Sequence, residues 1–323
     1  LIIDGYHASF YNGYIDTHQE NTMTTPHTPR VLMIVHDPHV QPNQRLHQYY
    51  GWNDPRQLAQ QYIDDMARAS HGLVQYTVVN IIDAPWFPVK VDGFQYDVAS
   101  YTQRWARRDM HHPDGLDYPA RMAAFDLYAR FQRHEFDEVW VFAPPYAGEY
   151  ESIMIGPRAI WCNAPPLHTT AIARNFVMMG FNYERDVGCM LENFGHRVES
   201  IMQHVYATHP GTPNLWEQFC QYDQRHPNAA ACGNVHFAPN STHDYDWGNR
   251  RRVWSSCDRW RDYPLSADAP ARLVDCHEWG NGDMRAHHVW WLQHMPHRAA
   301  MIDGVWGNWW DYCVRGHDFQ TNG

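Results

Sequence analysis

Residues Val31-Leu32-Met33-Ile34-Val35 are apolar without interruption. A run of that kind, with no alternation, predicts a strand covered on both faces. Asn53-Asp54-Pro55 follows, with Asp54 placed to cap a helix and Pro55 at its first position. Leu58, Tyr62, Ile63 and Met66 then recur at helical spacing until Gly72. A second strand is predicted over 74–82. Residues 83–119, broken by Pro85, Pro88, Asp92-Gly93 and Pro113-Asp114-Gly115, read as loop. A helix over about 119–133, a third strand over 137–142 and a fourth over 176–181 complete the series. Strands alternating with helices predict an α/β fold, a mixed or mostly parallel sheet with flanking helices. The ligand crevice of such a sheet lies beyond the carboxyl ends of its strands. The loops expected there carry His36-Asp37-Pro38-His39, Glu149-Tyr150-Glu151 and Asn182-Tyr183-Glu184-Arg185.

The pattern divides the chain into an N-terminal arm (1–29), an α/β core (30–207) and an irregular, Trp-rich elaboration packed on that core (208–323). The segment 186–206 is the most informative. Met190, Leu191, Phe194, Val198, Ile201, Met202 and Val205 share one helical face, and Glu192, His196, Glu199 and Gln203 share the other. Two carboxylates and an imidazole one turn apart suit a shared metal ion or a proton transfer. Any solvent-facing helix has a similar polar side. Gly195 argues for a cleft instead: a mid-helix glycine costs about 1 kcal/mol relative to Ala, and close approach of another group is the usual compensation.

Glu192-Asn193-Phe194-Gly195-His196 resembles the metal-binding helix of the zincin metallopeptidases, H-E-x-x-H and often H-E-F-G-H. The preceding strands and helices also come in an order similar to that fold. The resemblance implies a zincin-like fold and a divalent metal held by His196 with Glu192 and Glu199. Two carboxylates among three ligands suit harder or mixed-ligand metals better than zinc. Glu192 replaces the family's first histidine, and Asn193 replaces its catalytic glutamate. Without a carboxylate at 193 to activate water, the resemblance implies loss of ordinary peptidase activity. The chain also resembles a group of secreted bacterial proteins that often carry carbohydrate-binding modules, through Tyr50-Gly51-Trp52-Asn53-Asp54-Pro55, Gly180-Phe181-Asn182-Tyr183-Glu184-Arg185 and Asn308-Trp309-Trp310. That likeness implies export.

Composition changes the picture in three places. A net charge of −11 argues against nucleic acid, which needs a clustered basic surface. Arg250-Arg251-Arg252 lies among Asp244, Asp246 and Asp258, which suits local ion pairs. No apolar run is long enough for a membrane-spanning helix. The seven cysteines all lie from Cys162 to Cys313; Cys220 with Cys232, and Cys257 with Cys276, bracket turn-rich stretches. Both pairs are expected as loop-closing disulfides, and with them an extracellular location.

Nine of the fifteen tryptophans fall between Trp247 and Trp310, more than a regular core requires. They fill an irregular core or offer faces to sugar rings. On the second view Trp247 and Trp279 bind substrate, with Glu151, Asn182, Glu184 and Arg185 as hydroxyl partners. His243-Asp244-Tyr245-Asp246-Trp247, if extended, sets two carboxylates on one side. Glycoside hydrolysis uses such a pair, about 5 Å apart for retention or about 6.5–9.5 Å for inversion. Glu192 with a raised pKa is the expected acid, and Glu199, His196, Asp244 and Asp246 are the other catalytic candidates. In the stretch His287-His288 to His294, His294 falls near the face of His287, a further candidate metal pair. No Gly-rich phosphate loop, G-x-S-x-G elbow or C-x-x-C pair occurs. The sequence leads to a secreted carbohydrate-active protein, a glycoside hydrolase acting on polysaccharide or oligosaccharide without a required cofactor. The alternatives are a zincin-like metal-binding protein without peptidase activity, and a cell-surface or structural protein without catalysis.

Overall fold

The structure is a computed structural model and describes residues 26–315. Residues 1–25, most of the expected N-terminal arm, lie outside the described residues. Six strands form the central sheet: β1 (Arg30–His36), β2 (Thr77–Ala84), β3 (Glu138–Ala143), β4 (Ser152–Gly156), β5 (Leu167–His168) and β6 (Phe176–Asn182). Their order is β2-β1-β3-β6-β4-β5. All neighbours are parallel except β4, which runs antiparallel to β6.

The unbroken apolar runs follow from burial on both sides. Val31, Met33 and Val35 face one core, and Leu32 and Ile34 face another. Helices α1 (Pro55–Ala69) and α5 (Val187–Ala207) cover the first face; α3 (Tyr118–Ala124) and α4 (Leu127–Gln132) cover the second. Asp54 caps α1 by accepting from Arg56 N–H at 2.7 Å, as its position before Pro55 foretells. Beneath α5, Arg197 is buried and pairs with Glu138 at 2.8 Å, while Trp140 Nε1 donates to Glu138 at 2.9 Å. A buried charge needs such partners, and this one ties the rotation of α5 to the sheet.

Several expectations change. The second strand covers Thr77–Ala84, and Val74 bridges to His27 instead. The helix expected over 119–133 is two helices, because Asp126 takes a left-handed backbone (φ 50°). Helix α2 (Val98–Arg107) forms inside the expected loop, capped by Asp97 and buried through Tyr101. Strand β4, five fully buried residues between loops, gave no periodic signal.

The C-terminal half is held differently. Its regular pieces are α6 (Met284–Gln293), the short helices Leu215–Phe219 and Trp309–Arg315, two 3-10 turns and two short hairpins. Phe219, Trp216, Trp291 and Trp309 pack with ring centroids 5.5–6.2 Å apart, and Trp310 stacks on Phe194 of α5. The expected disulfides are absent: all seven cysteines are free. The 219–232 and 230–256 approaches are closed by backbone bonds, Cys232 N–H to Phe219 C=O at 3.0 Å and Ser256 N–H to Ala230 C=O at 2.9 Å. Burial raises the pKa of Cys220 and Cys232 and pushes Cys257 up to about 11, so these thiols stay protonated.

Candidate metal centre

Helix α5 starts at Asp186, whose carboxylate accepts from Gly188 N–H at 2.8 Å. Its apolar face, including Phe194, Val198 and Ile201, is fully buried, which turns Glu192 and His196 the other way. A Cβ built on Gly195 would lie 2.2 Å from Cγ2 of buried Val235. The glycine therefore admits the 234–237 turn against the helix, the close approach its position predicts. Two bonds fix that turn. Val235 N–H donates to Glu199 Oε1 at 3.3 Å, and His288 Nε2 donates to Val235 C=O at 3.2 Å.

The turn delivers His236 to the helix. Ligand atoms of Glu192, His196 and His236 all lie within 4.8 Å of one another. His236 Nε2 is 3.1 Å from Glu192 Oε1. Each imidazole is oriented from behind: His196 Nδ1 donates to Glu199 at 2.9 Å, and His236 Nδ1 donates to Asp244 at 3.0 Å. A carboxylate on Nδ1 orients each ring and aims Nε2 at the centre, an arrangement typical of metal-binding histidines; a bound metal ion would replace the proton that His236 Nε2 shares with Glu192. Tyr245 completes the group. Its hydroxyl donates to Glu192 Oε1 at 2.8 Å and lies 3.2 Å from His236 Nε2.

The charges follow from these contacts. Burial favours neutral Glu192, but donors from His236 and Tyr245 outweigh it and hold its pKa below the usual value. The Glu192 bond raises the pKa of His236. Burial lowers that of His196, yet Glu199 and the neighbouring carboxylates raise it overall. Glu151 moves the other way: burial, then repulsion from Glu192, raises it against the pull of His196. One carboxylate and two imidazoles form the donor set of many catalytic zinc sites, with further coordination positions left open. Zinc therefore fits better than the carboxylate-rich set of the sequence reading suggested.

The centre borders a cleft of about 460 Å3 at the carboxyl ends of β3 and β6, where the crevice rule places it. Glu192, Glu151, Asn182 and Arg185 line it. Other expected site residues lie elsewhere. Glu199 acts behind His196 rather than beside Glu192 as a ligand. Glu184 pairs with Arg185 at 3.0 Å. The 243–247 segment is not extended, because Tyr245 is left-handed at φ 59°. Asp244 consequently reaches His236, whereas Asp246 turns inward to Thr242 and Asn249 at 2.8–2.9 Å. Trp247 and Trp279 are core residues, 4% and 1% exposed, joined by Trp279 Nε1 donating to Trp247 C=O; they cannot stack on a sugar. His287 and His288 are buried beneath Trp247, and His294 Nδ1 donates to Trp290 C=O at 2.7 Å. A second ligand-type group, Cys257, Asp258 and His294, is compromised by Arg272, which holds Asp258 at 2.6 Å. The sequence reading missed His236 and Tyr245. Neither has a helical spacing to betray it.

No protein-family model matches the chain, and no curated protein or solved structure matches it either. Its chemistry is read from the residues themselves.

Proposed function

We propose that this chain is a divalent-metal hydrolase of zincin-like build, with Glu192, His196 and His236 as ligands. The observation that carries the reading is their convergence within 4.8 Å, with both imidazoles held from behind by carboxylates. The parallel sheet with antiparallel β4 beside β6, followed directly by the Glu-Asn-Phe-Gly-His helix, supports the zincin-like part. A bound divalent cation would polarise an acyl carbonyl and stabilise the negative charge that develops on its oxygen. Glu192 supplies the charge that retains the ion, and Glu199 and Asp244 keep the imidazoles aimed. Tyr245 offers a hydroxyl donor at the same point.

Asn193 cannot shuttle a proton, and its amide donates to Gly180 C=O at 2.7 Å, so ordinary zincin peptidase chemistry is not the expected activity. Paired-carboxylate glycoside hydrolysis is disfavoured too. Its acid was expected at Glu192, which is instead held ionised by His236 and Tyr245 and cannot take that role. A carbohydrate ligand remains the favoured substrate class, because Tyr146, Tyr150 and Tyr245 at the cleft are 41–48% exposed and present aromatic faces. The reaction that unites both features is hydrolysis of an ester or amide acyl group borne by a sugar. The test is zinc titration of metal-stripped protein by calorimetry, then acetate release from acetylated oligosaccharides. One equivalent of zinc and chelator-sensitive release are expected; failure to bind zinc, cobalt or manganese would end the metal reading.

A further inference from the structure

We propose that Glu151 is the proton-transferring residue of this centre, supplied by the sheet because helix α5 carries Asn193 where a base would stand. The inference rests on the metal reading above.

Gly180 of β6 joins the two positions. Its carbonyl accepts from Asn193 Nδ2 at 2.7 Å, and its N–H donates to Glu151 C=O at 3.1 Å. A Cβ on residue 180 would lie 2.3 Å from Tyr150 O and 2.7 Å from Glu149 Cβ. Only glycine lets the 149–151 segment cross β6 this closely, and that crossing brings Glu151 to the cleft that Glu192 also lines.

The side chain is then aimed from α5 itself. Ser200 Oγ donates to His196 C=O at 2.9 Å and accepts from Asn163 N–H at 3.1 Å. The Asn163 amide in turn donates to Glu151 Oε2. One carboxylate oxygen is anchored relative to His196, and the other is left for proton transfer. Of the cleft's carboxylates, Asp114 is paired with Lys90, Glu149 with Arg121 at 2.5 Å, and Glu192 with His236. Glu151 is bonded by a neutral amide and is in no ion pair with Lys or Arg of the kind that holds Asp114 and Glu149. Burial also raises its pKa, which suits a group that must gain and lose a proton.

The step balances as a hydrolysis. Glu151 takes one proton from water as the water oxygen bonds to the acyl carbon. It returns that proton to the leaving nitrogen or oxygen as the bond from carbon to that atom breaks. A carboxylic acid and a free amine or alcohol result, and Glu151 ends as the carboxylate.

The test uses the cobalt-loaded full chain and acetohydroxamic acid as probe, read by the visible cobalt spectrum. A base beside the ion accepts the hydroxamate proton. Glu151→Gln should therefore bind cobalt as the parent does and bind acetohydroxamic acid at least about tenfold more weakly. Adding Asn193→Glu to that variant should recover part of the loss, and unchanged thermal melting would confirm the fold of both. Parent-like acetohydroxamic acid affinity in Glu151→Gln overturns this inference and leaves the metal reading standing. A parent chain that gives no cobalt spectrum overturns the metal reading, and this inference with it.

Discussion

The sheet half and the aromatic half solve the same packing problem by opposite means. In residues 30–207 the inner strands β1, β3, β4 and β6 bury both faces, while the edge strand β2 stays largely exposed, and short-range pattern sets the direction of most inner side chains. In residues 208–315 few regular elements exist, and large rings fill the volume instead: Trp291, Trp309 and Trp310 are at most 1% exposed. The comparison teaches where chemistry gathers. The regular half supplies two of the proposed ligands on one helix, but their partner, His236, and its orienting Asp244 come from the irregular half. Neither half holds the centre alone.

Acidification should give the largest effect and should weigh on the halves unequally. His36 in the sheet half is driven down to about 3, chiefly by burial. In the aromatic half burial pushes His288 down to about 4 and His287 well below its ordinary value. A neutral buried histidine resists protonation while the unfolded chain accepts a proton below about pH 6.5. Stability is therefore full above that pH and falls as the pH drops toward the folded-state values. Each such histidine contributes a slope of about 1.4 kcal/mol per pH unit. His196 and His236, whose pKa values are raised, oppose the trend because their bonds to carboxylates are strongest when they are charged. Urea unfolding from about pH 6.5 to about pH 4 should show a net fall. His287→Phe, which keeps the ring stack on Trp247, should flatten it by one proton. An unchanged slope in that variant would mean that His287 carries none of the acid sensitivity.

Ligand removal comes next and tests the division of labour directly. Glu192→Gln and His196→Ala on the helix, and His236→Ala on the turn, should each weaken zinc binding by at least about 100-fold. Asp244→Asn and Glu199→Gln, which act behind the imidazoles, should cost about 10–100-fold. Calorimetric titration separates the two tiers. If His236→Ala bound zinc like the parent, the helix alone would hold the ion and the aromatic half would be only a scaffold.

These differences also explain what could be read from the chain beforehand. Strands β1, β3 and β6, helices α1 and α5, and the Glu192–His196 face are short-range patterns, and Gly195 announced a close approach without saying by what. His236 lies forty positions beyond His196 in a segment without periodicity, so only the packing of Val235 on Gly195 reveals it. Asp244 was recognisable as a carboxylate, but the left-handed turn at Tyr245 that separates it from Asp246 was not. The tryptophans misled for a physical reason. A segment with little regular structure must bury apolar area with its largest side chains, and the resulting composition looks the same as a sugar platform.

The smallest effect is expected from Gly195→Ala, and it probes the seam between the halves. Alanine favours a mid-helix position over glycine by about 1 kcal/mol, so an isolated α5 would gain. Here the new methyl would meet Val235 Cγ2 at 2.2 Å and the edge of Trp291 at 3.4 Å. Val235 is fully buried and its backbone is bonded to Glu199 and His288, so it cannot step aside without moving the turn. Overpacking of this kind costs about 1–3 kcal/mol, which leaves a net loss of up to about 2 kcal/mol in urea unfolding. The more telling measurement is zinc affinity, because the displaced turn carries His236. Gly195→Ala should weaken zinc binding although no ligand is altered, and Val235→Ala in the same chain should restore much of it by removing the clashing methyl groups. A Gly195→Ala variant with parent-like stability and zinc affinity would show that the seam is loose and that His236 reaches the helix by some other constraint.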